Sequence, residues 1–450
     1  MNNMNTVFAL STPVGGAIAI IRITGPDAKR AAAAVFTGEL IHRRVSYGRL
    51  TDADGSTVDA CCAAYFAAPS SYTGEDMVEI SIHGSPAVAA KTAELIASTG
   101  LAVPAEPGEF TKRAYLNGKM DLARAEAVMD LIASSAERQR KAAASQLEGR
   151  LSGEITSLYE RLRLACARLS NAMEDDTGEA ELDEASLVAE IGPIEAEISA
   201  LAEGGMRSRI LREGARVAII GSPNAGKSSL LNALLLKERA IVTETPGTTR
   251  DTLEEAASIE GLPVVFVDTA GIRETFDSIE LMGIERSRRA AQEADLVLWL
   301  VDGSRPLSEE DEAIRAFIEP ERAVAVITKS DLESVLFPNE TGTFCGLDAV
   351  RISALTGDGL GGLKKLVAGK LLPGEGSEAE RLVTNVRHIN ALESAADSLR
   401  RACESLSEAD PDAAFYELSS AMGSLAGILG RDDPAEDLVD SIFAHFCMGK

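Results

Sequence analysis

Basic residues are scarce in this 450-residue chain: 44 Lys and Arg stand against 70 Asp and Glu, a net charge of −26. So acidic a balance excludes a protein coated for nucleic acid, and any RNA contact has to rest on local basic patches. Arg138-Gln-Arg-Lys141 and Arg207-Ser-Arg209 with Arg212 are two such patches, although each also reads as a solvated helix face. Histidine is rarer still, at four residues, and the six cysteines fall at irregular spacing. That argues against a disulfide framework and leaves adjacent Cys61-Cys62 too few partners for a zinc site. No apolar run approaches the ~18 residues that span a bilayer. The N-terminus, Met1-Asn-Asn-Met-Asn-Thr6, lacks the basic-then-apolar layout of a signal peptide, so the expectation is a cytoplasmic protein without membrane contact. No G-x-G-x-x-G follows an early strand, and no flavin site is visible.

What is present is a phosphate cradle near mid-chain. Gly221-Ser-Pro-Asn-Ala-Gly226-Lys227-Ser228 spells G-x-x-x-x-G-K-[ST], between the apolar run Val217-Ala-Ile-Ile220 and the helical pattern Ser228 to Leu236. A strand before and a helix after are the context in which glycines aim backbone N–H groups at phosphate oxygens. Lys227 then reaches the outer phosphates and Ser228 offers a hydroxyl to magnesium.

The downstream strands favour guanine over adenine. Pro263 to Val267 runs into Asp268-Thr-Ala-Gly271, the D-x-x-G element, whose Asp holds magnesium through water. Asp295 to Val301 is a third strand, and Ala323 to Ile327 a fourth that ends in Thr328-Lys-Ser-Asp331. The Asp331 carboxylate can accept from two adjacent guanine N–H donors, and Lys329 can lay its stem over the base. A fifth strand, Ala349 to Ile352, ends in Ser353-Ala354, whose amides suit the guanine carbonyl. Two departures stand out. Thr328 occupies the usual Asn position, with one donor against two, so weaker nucleotide affinity is expected. Ile272 follows D-x-x-G, where a Gln often orients water. In the segment Thr243-Glu-Thr-Pro-Gly-Thr-Thr-Arg-Asp251, Thr249 is a natural second hydroxyl for magnesium.

Around this segment the hydrophobic period changes. Residues 1 to about 118 mix strands with one short helix, an α+β pattern. Ala17 to Ile23 reads as a buried strand, and in Met77 to His83 the residues Val78, Ile80 and Ile82 share one face. His83 reads as a hydrogen-bonded surface group rather than a metal ligand. Leu151, Ile155, Leu158, Leu162, Ala165 and Leu169 form a helical stripe; Leu187, Ile191, Ile194, Ile198 and Leu201 form a second. The acidic stretch 174–183 between them reads as a loop. A third stripe, Ile389, Leu392, Ala396, Leu399, Cys403 and Leu406, follows the return linker Pro373-Gly-Glu-Gly-Ser377. Length alone allows about two to three domains, at ~100–200 residues each. The expectation is a multidomain α/β, α+β and all-α protein in which a Ras-like P-loop GTPase domain (214–374) is inserted into a helical bundle (119–213 and 375–450).

Three separated regions resemble the MnmE/TrmE family of tRNA-modification GTPases. They are Thr73-Gly-Glu-Asp-Met-Val-Glu-Ile80 with Pro107-Gly-Glu-Phe-Thr-Lys-Arg through Glu126; the Pro-Gly-Thr-Thr-Arg-Asp251 and Asp-Thr-Ala-Gly-Ile-Arg273 elements; and the ending Phe446-Cys-Met-Gly-Lys450. The resemblance covers the whole chain. It implies a homodimer whose GTPase domains pair around a potassium ion that replaces an arginine finger, with Asn224, Thr243, Thr245 and Thr248 as its ligands. Pro246 stands where the family usually has Ala, so the shape of that loop is open. The water-organising Glu maps to Glu280. With the motif residues, the expected GTP pocket comprises Asn224, Ala225, Gly226, Lys227, Ser228, Ser229, Thr243, Glu244, Thr245, Pro246, Gly247, Thr248, Thr249, Asp268, Thr269, Ala270, Gly271, Thr328, Lys329, Asp331, Ser353 and Ala354. Magnesium is expected on Ser228 and Thr249.

The resemblance further implies that residues 1–118 form a folate-binding and dimerisation domain. Its 5-formyl-tetrahydrofolate positions map to Arg22, Glu79, Lys119 and Lys450. Glu79 suits the paired N–H donors of a pterin-type ring, and Arg22 and Lys119 suit an anionic glutamate tail. Cys447 fits a prenylation signal poorly, because Gly449 and Lys450 follow it. A thiol acting at the folate site and a simple buried cysteine both fit. The implied function is addition of an aminomethyl-type group to C5 of the wobble uridine of certain tRNAs, with an FAD-containing partner, MnmG/GidA, in a heterotetramer. The alternative is a GTP-regulated RNA- or ribosome-assembly switch without modification chemistry, which would have no use for the folate residues.

Overall fold

The computed structural model describes residues 5–174, 183–202, 205–238, 255–267, 280–339, 342–372, 383, 385–431, 436–444, 446–447 and 449. The segments 243–251 and 268–272, most of the acidic loop 174–183, the linker 373–377 and Lys450 lie outside them. In chain order the first stretch holds β1 (Val7–Leu10), β2 (Ile18–Thr24), α1 (Ala28–Val35), β3 (Val45–Thr51), β4 (Thr57–Phe66), β5 (Met77–His83), α2 (Pro86–Ser98), β6 (Val103–Pro104), α3 (Glu109–Leu116) and α4 (Leu122–Ala133). Helices α5 (Glu137–Leu147), α6 (Arg150–Glu174), α7 (Glu184–Ala202) and α8 (Gly205–Glu213) follow. Next come β7 (Ala215–Gly221), α9 (Lys227–Glu238), β8 (Glu255–Ile259), β9 (Leu262–Val267), α10 (Glu280–Glu293), β10 (Leu296–Asp302), α11 (Glu309–Arg315), β11 (Ala323–Thr328), β12 (Thr343–Phe344), β13 (Leu347–Arg351) and α12 (Leu360–Leu371). Helices α13 (Val386–Ser407), α14 (Pro411–Leu429) and α15 (Glu436–Phe443) end the chain.

Two compact units emerge, one of residues 1–129 with 426–450, the other of 130–425. In the first, a six-stranded sheet runs β3-β4-β5-β2-β1-β6. The alternation expected for β5 is present: Val78, Ile80 and Ile82 are buried while Glu79, Ser81 and His83 are not. The buried side packs on Ala31, Ala32 and Val35 of α1 and on Leu95 and Ile96 of α2. One short helix was expected before residue 118, and the structure has three. The alanine-rich runs carry no large apolar periodicity, yet alanine combines the best helix propensity with a side chain small enough to lie close on a sheet. The last helix belongs to this unit too. Phe443 and Phe446 pack with Leu122 and Ala125, and Tyr115 donates its hydroxyl to Gly430 O at 2.8 Å.

In the second unit the three helical stripes are buried as patterned, apart from partly exposed Leu201 and Cys403. Helix α7 packs along α13 and keeps Pro193 within its length. The seven-stranded sheet runs β12-β13-β11-β10-β7-β9-β8; β7, β9, β10, β11 and β13 are parallel, β8 and β12 antiparallel. Both faces are covered, by α9 and α12 on one side and by α10 and α11 on the other. A strand buried on both faces must be apolar throughout, and β10 is buried at every residue.

Helix α5 grips the tip of the β8–β9 hairpin. Glu260 and Gly261 turn it with φ of +49° and +77°. The Arg138 amide, an uncapped helix-start donor, bonds Gly261 O at 2.9 Å, and Arg138 Nε bonds Glu260 O at 3.0 Å. Gln139 Nε2 donates to Arg212 O at 3.1 Å, Arg209 pairs with Asp295, and Arg212 lies 3.6 Å from Asp130. Arg138, Arg209 and Arg212, which the sequence offered as a nucleic-acid patch or solvated faces, are intramolecular ties.

Candidate functional site

The parallel strands end on one edge of the sheet, and the phosphate loop leaves that edge from β7. At Gly221 the backbone passes so close to β10 that a β-carbon would sit 2.4 Å from Leu300 O. Asn224 takes φ +61°, a left-handed conformation that asparagine tolerates better than most residues. Ala225 is buried. Lys227 opens α9, and its Nζ donates to Gly221 O at 2.7 Å and Ser222 O at 2.9 Å. Burial pushes the pKa of this ammonium down, against the pull of Glu310 and Asp311. Ser228 and Ser229 are exposed in the first turn of α9, beside free helix-start N–H groups. An exposed hydroxyl at that position is the kind of donor that suits a magnesium ion carried mainly by phosphate oxygens and water.

Thr328 ends β11, buried, and its hydroxyl lies 2.8 Å from Ala225 O and 3.0 Å from Val301 O. It thus ties the base-side loop to the phosphate loop, with one proton shared between two carbonyls. Lys329 follows with φ +59°, a conformation costing roughly 1–2 kcal/mol outside glycine. Its Nζ donates to Asp302 Oδ2 at 2.6 Å. Burial raises the Asp302 pKa, but the bonds from Lys329 and Ser304 outweigh that and hold it below the usual carboxylate value. Asp331 is exposed. Ser353 is buried, its amide bound to Asp358 O at 3.0 Å, while Ala354 is half-exposed. The structure therefore brings Asn224 to Ser229, Thr328, Lys329, Asp331, Ser353 and Ala354 to one edge. Thr243, Glu244, Thr245, Pro246, Gly247, Thr248, Thr249, Asp268, Thr269, Ala270 and Gly271 lie outside the described residues. Glu280 starts α10, with its side chain outside them.

A second cluster lies in the other unit. Arg22 and Glu79 are register partners on β2 and β5, and Arg22 Nε donates to Glu79 Oε1 at 2.7 Å. The guanidinium stands 5.7 Å from the Tyr72 ring centroid, and its Nη1 reaches Gly449 O at 3.5 Å. Ser11 Oγ donates to the same carbonyl at 3.0 Å. Lys119 Nζ instead donates to Pro69 O at 3.0 Å, on the loop that carries Tyr72. Cys447 is partly buried, its carbonyl 3.5 Å from Gly108 N. All six cysteines are free. His83 is the surface group expected, its Nδ1 2.7 Å from Asp59.

Sequence reasoning missed Asp302, Arg305, Ser222 and Tyr72. Asp302 left a signal, being a carboxylate that closes an otherwise apolar strand, and Ser222 stood inside the quoted phosphate loop at an unspecified position; Arg305 and Tyr72 left none.

A strand, a glycine-turned loop, a lysine at a helix start and a base-side loop tied to it define a P-loop GTPase. Family models agree: "GTP-binding protein TrmE N-terminus" matches residues 6–119 and "MnmE helical domain" matches 122–447. The tRNA modification GTPase MnmE of Roseiflexus sp. (strain RS-1) is 42% identical, covering 99% of each chain. Those of Carboxydothermus hydrogenoformans and Aquifex aeolicus are each 40% identical, also over 99% of both chains. Among solved structures, the G domain of the T. maritima FeoB iron transporter is 25% identical, covering 35% of this chain and 99% of its own, with a TM-score of 0.27. The chain belongs to the MnmE/TrmE family.

Proposed function

We propose that this GTPase acts in tRNA modification, installing an aminomethyl-type group at C5 of the wobble uridine with an FAD-containing partner, MnmG/GidA. The observation that carries this reading is the full-length match to proteins named tRNA modification GTPase, together with a phosphate loop and base-side loop folded as GTP binding requires. In this reading residues 214–374 are the GTPase domain, inserted between 119–213 and 375–450; the packing of α7 on α13 supports that division.

Backbone N–H groups of residues 224–229 bind the phosphates, Lys227 exchanges its loop carbonyls for phosphate oxygens, and Asp331 accepts from guanine. Ser228 and Thr249 would hold magnesium, which would neutralise phosphate charge. Asn224, Thr243, Thr245 and Thr248 would hold potassium, which would supply the positive charge an arginine finger otherwise gives. Glu280 orients the attacking water, a task Ile272 cannot perform. In the first unit, Arg22 and Glu79 address a reduced folate as one bidentate surface, because their side chains meet. Tyr72 offers a ring face, and Lys119 and Lys450 add positive charge for an anionic tail.

Mass analysis of wobble nucleosides in tRNA from cells lacking this protein tests the reading: the modified uridine disappears and returns with the wild-type chain. Unchanged nucleosides would leave a nucleotide switch. Single-turnover hydrolysis is expected to be at least about tenfold faster in potassium than in sodium, a modest share of the ~10³–10⁵ an arginine finger supplies. Equal rates in the two salts would remove the cation.

A further inference from the structure

Behind the phosphate loop stands an ion network whose central residue, Arg305, lies in no nucleotide motif. Ser222, the second loop residue, is 1% exposed, and its Oγ accepts from Arg305 Nη2 at 2.9 Å. The same guanidinium lies 3.5 Å from Asp311 Oδ2 and 3.9 Å from Asp302 Oδ2. Asp311 is as buried as Ser222, and Arg305 supplies its compensating charge. Asp302 also takes Lys329 Nζ, so one buried carboxylate is shared by a cation of the base-side loop and a cation held against the phosphate loop.

We propose that Arg305 is a positioning residue for guanine-nucleotide binding: it fixes Ser222, at the back of the phosphate loop, to the base-side loop through Asp302. The inference rests on the assignment of this edge to GTP. Phosphate oxygens are bound by amides that must point inward before the ligand arrives, and a loop held in place loses less freedom on binding. Thr328 makes one such tie to Ala225 O, and Arg305 makes the second. Arginine suits the task because its planar fork reaches several acceptors at once, which a lysine ammonium on a flexible stem does not. Its guanidinium is engaged by Ser222 and two carboxylates, so the role concerns affinity rather than the reacting phosphate.

The test uses the full chain with Ser222→Ala, Arg305→Ala and their combination, titrated calorimetrically with GDP and with a non-hydrolysable GTP analogue. Each single variant is expected to bind about tenfold more weakly, the scale of one hydrogen bond to a charged group. The double variant is expected to bind no more weakly than Arg305→Ala alone. At saturating GTP, kcat stays within about twofold while KM rises with the loss of affinity, and Arg305→Lys recovers part of the loss. Should Arg305→Ala fail to fold, Ser222→Ala still decides, because it leaves the Asp311 ion pair intact. Unchanged affinity in Ser222→Ala, or additive losses in the double variant, would overturn the proposal. Failure of the wild-type chain to bind GDP would instead sink the nucleotide assignment itself.

Discussion

At the scale of single residues, the site depends on side chains that hold loops rather than touch ligand. Thr328→Val keeps the shape of the side chain but leaves Ala225 O and Val301 O without their shared donor. The expected outcome is a loss of about 1–3 kcal/mol of stability, with GDP binding weakened at least severalfold. Urea denaturation and calorimetric titration check it, and unchanged GDP affinity would reduce Thr328 to a packing residue. The sequence foresaw Thr328 as a weak substitute for asparagine, yet its one hydroxyl sits within reach of two carbonyls. Cys61 gives a second test. Burial pushes its pKa up to about 12, with Asp59 and Cys62 adding to the shift. A raised pKa leaves the thiol almost wholly neutral near pH 8, so Cys61 is expected to stay unlabelled by iodoacetamide there, since only the thiolate attacks. Mass mapping of the native protein after alkylation at pH 8 checks this; a labelled Cys61 would contradict the burial.

Among elements, long periodic helices and apolar strands were legible in the sequence because their spacing encodes the buried face. Strand β8 and the alanine-rich α1 were not, since one is a short edge strand and the other offers little apolar contrast. The candidate site divides likewise. The G-x-x-x-x-G-K-[ST] loop and the Thr328–Asp331 loop announce themselves by local spacing, whereas Arg305 and Tyr72 reach their sites only through tertiary folding. The grip of α5 on the β8–β9 turn is equally invisible in sequence, because it joins residues more than a hundred positions apart. Gly261→Ala forces a β-carbon into a left-handed position and to within 3.3 Å of Arg138 Cγ. It is expected to cost about 1–2 kcal/mol and to speed hydrogen exchange at the Arg138 amide. Unaltered exchange there would mean that the turn and the helix start are not joined in solution.

For the whole molecule, the division into two units predicts that damage to one is not felt as loss of ligand in the other. Removing residues 447–450 deletes the Gly449 carbonyl that meets Arg22 and Ser11. Binding of 5-formyl-tetrahydrofolate, measured by calorimetry, is expected to weaken at least about tenfold while GDP affinity holds, the scale of a few lost polar contacts. Equal folate affinity with and without the tail would take the tail out of that site. The same contact has a meaning in time. Ser11 and Gly449 lie 438 positions apart, so the first strand leaves the ribosome long before its last partner exists. At ~5–20 residues per second, β1 and the face around Arg22 wait on the order of tens of seconds in a half-built unit. Residues 130–425, the second compact unit, emerge in between. A nascent chain is therefore expected to bind guanine nucleotide before the contact of Arg22 and Ser11 with the Gly449 carbonyl can form.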